Sequence, residues 1–156
     1  MRKILQRREL VADPWRYPGE AGGAPQLLTL AEALAAGSAL PAGSGVVVAP
    51  GEDLAGLLPL LPRVATVVLR FEKAGEGRGF SLAQQLRQQS GFGGTIRAAG
   101  PVIKRDLLFV LARCGFDAFE FAEGEDPAAA LAHMERFSVA YQPASDRLVK
   151  PGLRVS

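Results

Sequence analysis

The run Val64-Ala65-Thr66-Val67-Val68-Leu69-Arg70-Phe71 constrains this chain more than any other segment. Its apolar side chains are nearly continuous instead of alternating, the pattern of a strand covered on both faces. Such strands belong to parallel sheets, in which a crossover must separate neighbours. The flanking sequence supplies further strands. Val46-Val47-Val48-Ala49, bounded by Gly45 and Pro50, reads as a buried strand, and Thr95-Ile96-Arg97-Ala98-Ala99 as another. Phe116 to Phe121 alternates strictly and makes a fourth.

Helical signals fall around these strands. Thr29 is placed to cap Leu30–Ala36, which Gly37 ends, and Asp53 to cap a short helix through Leu58, stopped by Pro59 and Pro62. Ser81 is a natural N-cap for Leu82–Gln89. Pro101 suits the first turn of a helix whose face is Ile103, Leu107, Val110, Leu111 and Cys114, ended by Gly115. Asp126-Pro127 opens a last helix, Ala128–Phe137. The expected class is α/β: about four mostly parallel strands alternating with helices, as an open sheet or a half-barrel. Residues 1–44 read as an irregular arm with one short helix, 45–142 as the α/β domain, and 143–156 as a tail. A half-barrel of this size also suits a homo-oligomer.

Composition removes several functions. One cysteine, Cys114, and one histidine, His133, exclude an internal disulfide and a thiolate- or histidine-clustered metal site. Cys114 falls on an apolar helix face near its C-terminal end, which favours a core role over a reactive thiol. His133 reads as a surface residue, and Ser81 lacks an evident base for a nucleophilic triad. No run approaches the roughly 18 apolar residues that span a bilayer. The basic N-terminus lacks the apolar core of a secretion signal, so a cytoplasmic protein is expected. Residues 63–113 carry nine Lys/Arg against three acids, and residues 114–135 carry six acids with no Lys or Arg. Those bases are scattered and not interleaved with aromatics, which argues against nucleic acid.

The chemistry-bearing stretch is Gly75-Glu76-Gly77-Arg78-Gly79-Phe80-Ser81, after the first-named strand. Ligands of parallel α/β folds collect at the carboxyl ends of strands. Gly77 and Gly79 allow backbone N–H groups to approach an anion, and Arg78 offers a planar bidentate donor. Arg97 joins them if its side chain faces the loop; the alternative is a salt bridge to Asp117 or Glu120. Glu76, Ser81, Lys104, Arg105 and Asp106 are secondary candidates, the last three also readable as a local ion pair. The loop is neither a Walker A motif nor a clean dinucleotide fingerprint. Trp15 and Tyr17 in the arm read as packing against the domain edge, or as a docking element.

The loop Glu76–Ser81, the strand Ile96-Arg97-Ala98-Ala99-Gly100, the segment Arg113–Phe119 and Phe137-Ser138-Val139-Ala140-Tyr141-Gln142 together resemble the bacterial DUF934 family. Glu76 and Phe80 stand where that family usually has an aspartate and a tyrosine. The resemblance implies a bacterial protein encoded beside assimilatory sulfite reductase genes. It implies no catalytic residue. Three functions follow as expectations. One is an accessory protein of sulfite reduction that binds a small oxyanion or the sulfite reductase, with no tightly bound cofactor. The others are an oxidoreductase using a diffusible nicotinamide or flavin, and a non-catalytic adaptor.

Overall fold

The structure is a computed structural model that describes residues 2–21, 25–73 and 78–138. Its strands are β1 (Lys3–Gln6), β2 (Glu9–Ala12), β3 (Leu28–Thr29), β4 (Ser44–Val48), β5 (Val64–Arg70), β6 (Thr95–Ala99) and β7 (Ala118–Phe119). They form one open sheet in the order β2-β1-β7-β6-β5-β4-β3. Strands β3 to β7 are parallel, while β1 pairs antiparallel with both β7 and β2. The helices are α1 (Leu30–Ala36), α2 (Arg78–Gln84), α3 (Leu108–Cys114) and α4 (Pro127–Ser138).

Strands β3 to β7 follow one another in space as they do in sequence, and right-handed crossovers then all fall on one face. The buried side chains agree. Leu30, Ala33, Leu82, Ala83, Leu86, Leu108, Leu111, Ala130 and Met134 from the helices share one core with Val46, Val67, Leu69, Ile96 and Ala98 from the strands. Register aligns Val48, Leu69, Ala98, Phe119 and Leu5 in a single row across five strands of that face. Three of the helices are only seven residues long, too short to persist in water alone. Burial holds them, at roughly 1.5–3 kcal/mol for each fully buried large apolar side chain.

The other face carries the row Val47, Val68, Arg97, Ala118 and Gln6. Here the cover is the N-terminal segment: Trp15, Tyr17 and Leu27 pack on Val47, Val68 and Ala99. Gly45 permits that contact, because a Cβ there would lie 2.7 Å from Leu27 and 2.8 Å from Trp15. The first 44 residues are therefore not an irregular arm. They add the hairpin β1–β2 and the strand β3 to the four expected strands, and Trp15 and Tyr17 pack, partly buried, against the core of this face.

Some boundaries differ from expectation. Thr29 caps α1 in a reciprocal pair with Glu32, and Gly37 ends it, as its sequence implied. The helix expected from Asp53 is instead a 3₁₀ stretch, Leu58–Arg63, which accommodates Pro62. Ser81 lies inside α2 and is not its cap, and the helix continues as a π-helical stretch, Gln85–Gln89. Pro101 opens no long helix, because the Ile103 carbonyl accepts from Ala122 N–H and Arg105 N–H donates to Glu125. Only a 3₁₀ turn, Arg105–Leu107, precedes α3, whose left-handed Gly115 terminates it as expected. The closing motif beyond Ser138 and the tail lie outside the described residues.

Candidate functional site

At the carboxyl ends of β4 and β5 a pocket of about 270 Å³ opens between the sheet and α2. Val48, Leu69 and Leu82 give it an apolar floor, Pro50 and Gly51 one wall, and Arg78 and Gly79 another. Gly79 is required by packing: an added Cβ would run into the Phe71 ring. Phe71 is itself fixed by Phe80 at 5.4 Å and Phe116 at 5.8 Å between ring centroids. The backbone that carries Arg78 is thus anchored, while its side chain is exposed and makes no ion pair among the described residues. Arg70 also lines the pocket, but its guanidinium is paired with Glu72 at 2.8 Å and lies over the Tyr17 ring. Glu76 and Gly77 fall outside the described residues.

Arg97 does not meet Arg78. Helix α2 packs on one face of the sheet, and Arg97 projects from the other, beside Val68 and Ala118 in register. Only 1% of its side chain is exposed. Its two terminal nitrogens bond the Asp13 carboxylate at 2.9 and 2.7 Å, and one also reaches Glu120 at 3.3 Å. The salt-bridge alternative holds for Glu120; Asp13, 84 positions away, is the stronger partner. Nε of Arg97 is buried with no hydrogen-bond partner among the described residues. Asp13 also accepts from Arg2 Nε at 2.7 Å and from Trp15 N–H at 3.0 Å. Tyr17 donates its hydroxyl to Glu120 at 2.6 Å.

Glu20 extends this network by pairing with Arg2 at 3.0 Å; the Arg97–Asp13 pair is enclosed, while Arg2 and Glu20 reach solvent. Burial opposes ionisation of Asp13, but the bonds from Arg97 and Trp15 N–H outweigh it and hold the carboxyl below its usual range. Burial likewise opposes the Arg97 charge, and Asp13 more than offsets it, so the guanidinium stays ionised. Burial first, and the Glu120 carboxylate second, push the Tyr17 hydroxyl up. Such a cluster clamps the N-terminal segment to the sheet and leaves Arg97 no free donor pair for a ligand.

The secondary candidates scatter. Ser81 is exposed on α2 and outside the pocket lining. Lys104, Arg105 and Asp106 are exposed near the end of β6, and Arg105 pairs with Glu125 at 3.4 Å, not with Asp106. Burial raises the Cys114 thiol, and the side chain is partly buried against the core. The His133 ring lies tilted beside Phe109, 5.9 Å between centroids. The sequence reading missed Asp13, Arg2 and Tyr17 as partners of Arg97. The Asp13-Pro14-Trp15 turn was visible, but nothing local signals a bond to residue 97. Among the described residues no group of three or more His, Cys, Asp or Glu is placed to hold a metal ion, and no helix is long and apolar enough to cross a membrane.

The fold and pocket define an open, mostly parallel α/β protein with helices on one face and an arginine-edged cleft at the carboxyl ends of two strands. Residues 45–150 match the family described as "Bacterial protein of unknown function (DUF934)", and the chain belongs to that family. No curated protein and no solved structure matches it.

Proposed function

We propose that this chain is an accessory protein of sulfite reduction that works in the cytoplasm and binds a small oxyanion beside Arg78. The observation that carries the reading is a solvent-facing guanidinium, free of any ion pair among the described residues, at the mouth of a pocket of about 270 Å³. An arginine in that setting presents a planar donor pair matched to sulfite, sulfate or phosphate. The volume also bears on the choice. Pockets that enclose drug-sized ligands run from roughly 300 to 1,000 Å³, so a small oxyanion fits better here than a nicotinamide dinucleotide or a flavin. The sulfur setting comes from the family resemblance, and sulfite reductase is the partner it suggests. Arg97 has no part in the site.

Calorimetric titration with sulfite, sulfate and phosphate tests this reading. Wild type is expected to bind at least one of them at millimolar concentration or below. Arg78→Ala weakens that binding by about 10-fold or more, the loss of one charge-assisted donor pair, with the fold intact. The absence of binding in wild type ends the anion proposal. Sulfite turnover with NAD(P)H by the purified protein supports the oxidoreductase alternative.

A further inference from the structure

The hairpin β1–β2 turns in two residues, Arg7 and Arg8, between the paired Gln6 and Glu9. Both have positive φ, at 50° and 69°, as a type I′ turn requires. Asn-Gly is the pair that usually fills such a turn, because larger L side chains crowd the backbone there. Among the described residues no other non-glycine position has positive φ. Backbone strain retained where an unstrained pair would fold points to a role for the side chains.

The two arginines differ. Arg7 has structural work: its N–H bonds the Asp117 carbonyl at 3.0 Å, and its guanidinium lies 3.5 Å from the Asp117 carboxylate, which Arg87 also approaches at 3.3 Å. Arg8 is exposed, and its side chain has no ion pair or hydrogen bond among the described residues. The tip sits at the amino end of the parallel strands, since Gln6 pairs with Ala118, the first residue of β7. The pocket of Arg78 is at the opposite end of the sheet, so this surface goes beyond the oxyanion reading.

We propose that the Arg7-Arg8 tip is a docking point for an acidic surface of a partner protein. A two-residue turn fixed to β7 holds the backbone that carries Arg8, and the donor fork of its guanidinium suits carboxylates. The surroundings favour protein over other polyanions. Among the described residues the exposed large apolar side chains are Leu34 and Val110, on α1 and α3, so none of these gives the tip an aromatic platform for bases or an apolar anchor for a bilayer.

The test pairs a melting curve with binding of a fluorescent ten-residue poly-glutamate peptide at low salt. Arg8→Gly is expected to raise Tm by roughly 2–6 °C, through relief of the positive-φ strain, and to weaken peptide binding about three- to fivefold. Arg8→Lys keeps the charge and the strain but loses the donor fork, so its Tm stays close to wild type and its affinity falls less than that of Arg8→Gly. Lys3→Gln removes one charge from the far end of β1 and leaves binding unchanged. The proposal is overturned if Arg8→Gly binds the peptide like wild type, if Lys3→Gln weakens it equally, or if Tm does not rise. It is also overturned if a single-stranded oligonucleotide or phosphatidylserine vesicles bind the tip more tightly than the peptide.

Discussion

Arg97 shows how one residue can mislead when only its neighbours in sequence are known. It sits near the end of a strand, where an arginine reads as a ligand for an anion. Its place in the row Val47, Val68, Arg97 and Ala118 could be inferred only with the register, and its partner Asp13 is 84 positions away. With that partner the charge is structural. Asp13→Ala leaves a guanidinium buried without its main counterion and is expected to lower stability by about 3–5 kcal/mol in urea unfolding, whereas the paired change Asp13→Leu with Arg97→Met recovers most of the loss. The pH dependence has a defined sign. The Asp13 pKa is depressed in the folded protein, so its contribution is present above the unfolded value, about 4, and is lost as pH falls through the lower folded value. Acid unfolding below about pH 4 should be steeper in wild type than in Asp13→Asn. Arg78 was legible for the opposite reason: an arginine between glycines after a buried strand needs only local sequence to be placed.

At the scale of elements, legibility followed the strength of local signals. Strands β4, β5 and β6 and helix α1 were clear because their apolar runs and caps are contiguous, Thr29 with Glu32 being the plainest. The hairpin β1–β2 was hidden because its turn is Arg7-Arg8, without the Asn-Gly or Asp-Gly that announces a two-residue loop. Strand β3 is two residues long and exists only because β4 pairs with it. The late start of α3 depends on Ala122 and Glu125 capturing backbone groups near Ile103, which no local pattern encodes. The segment around Trp15 packs against the sheet as a covering element. Gly45→Ala should push Trp15 and Leu27 off the sheet, lowering stability by about 1–3 kcal/mol. Trp15 is the sole tryptophan, so its emission reports the change directly: a red shift is expected in the native state, and an unaltered spectrum would count against this packing.

The molecule as a whole follows from one topological fact. Parallel strands that keep their sequence order in space place α1, α2 and α3 on one face, and the chain must cover the other by different means. The N-terminal segment does so, sealed by Arg97 with Asp13. The α/β class was readable from apolar runs and glycine–proline punctuation, whereas the two-sided division of labour needed the sheet order. That division leaves the carboxyl ends of β4 and β5 as a place where a pocket coincides with an arginine that has no ion pair among the described residues. Anomalous diffraction from crystals soaked with selenite, a heavier analogue of sulfite, tests this most directly. A selenium peak beside the Arg78 guanidinium, with oxygens at hydrogen-bond distance of about 3 Å, is the predicted result. Selenium absent from that pocket, or found only at Arg97 or at the Arg7-Arg8 tip, would contradict it.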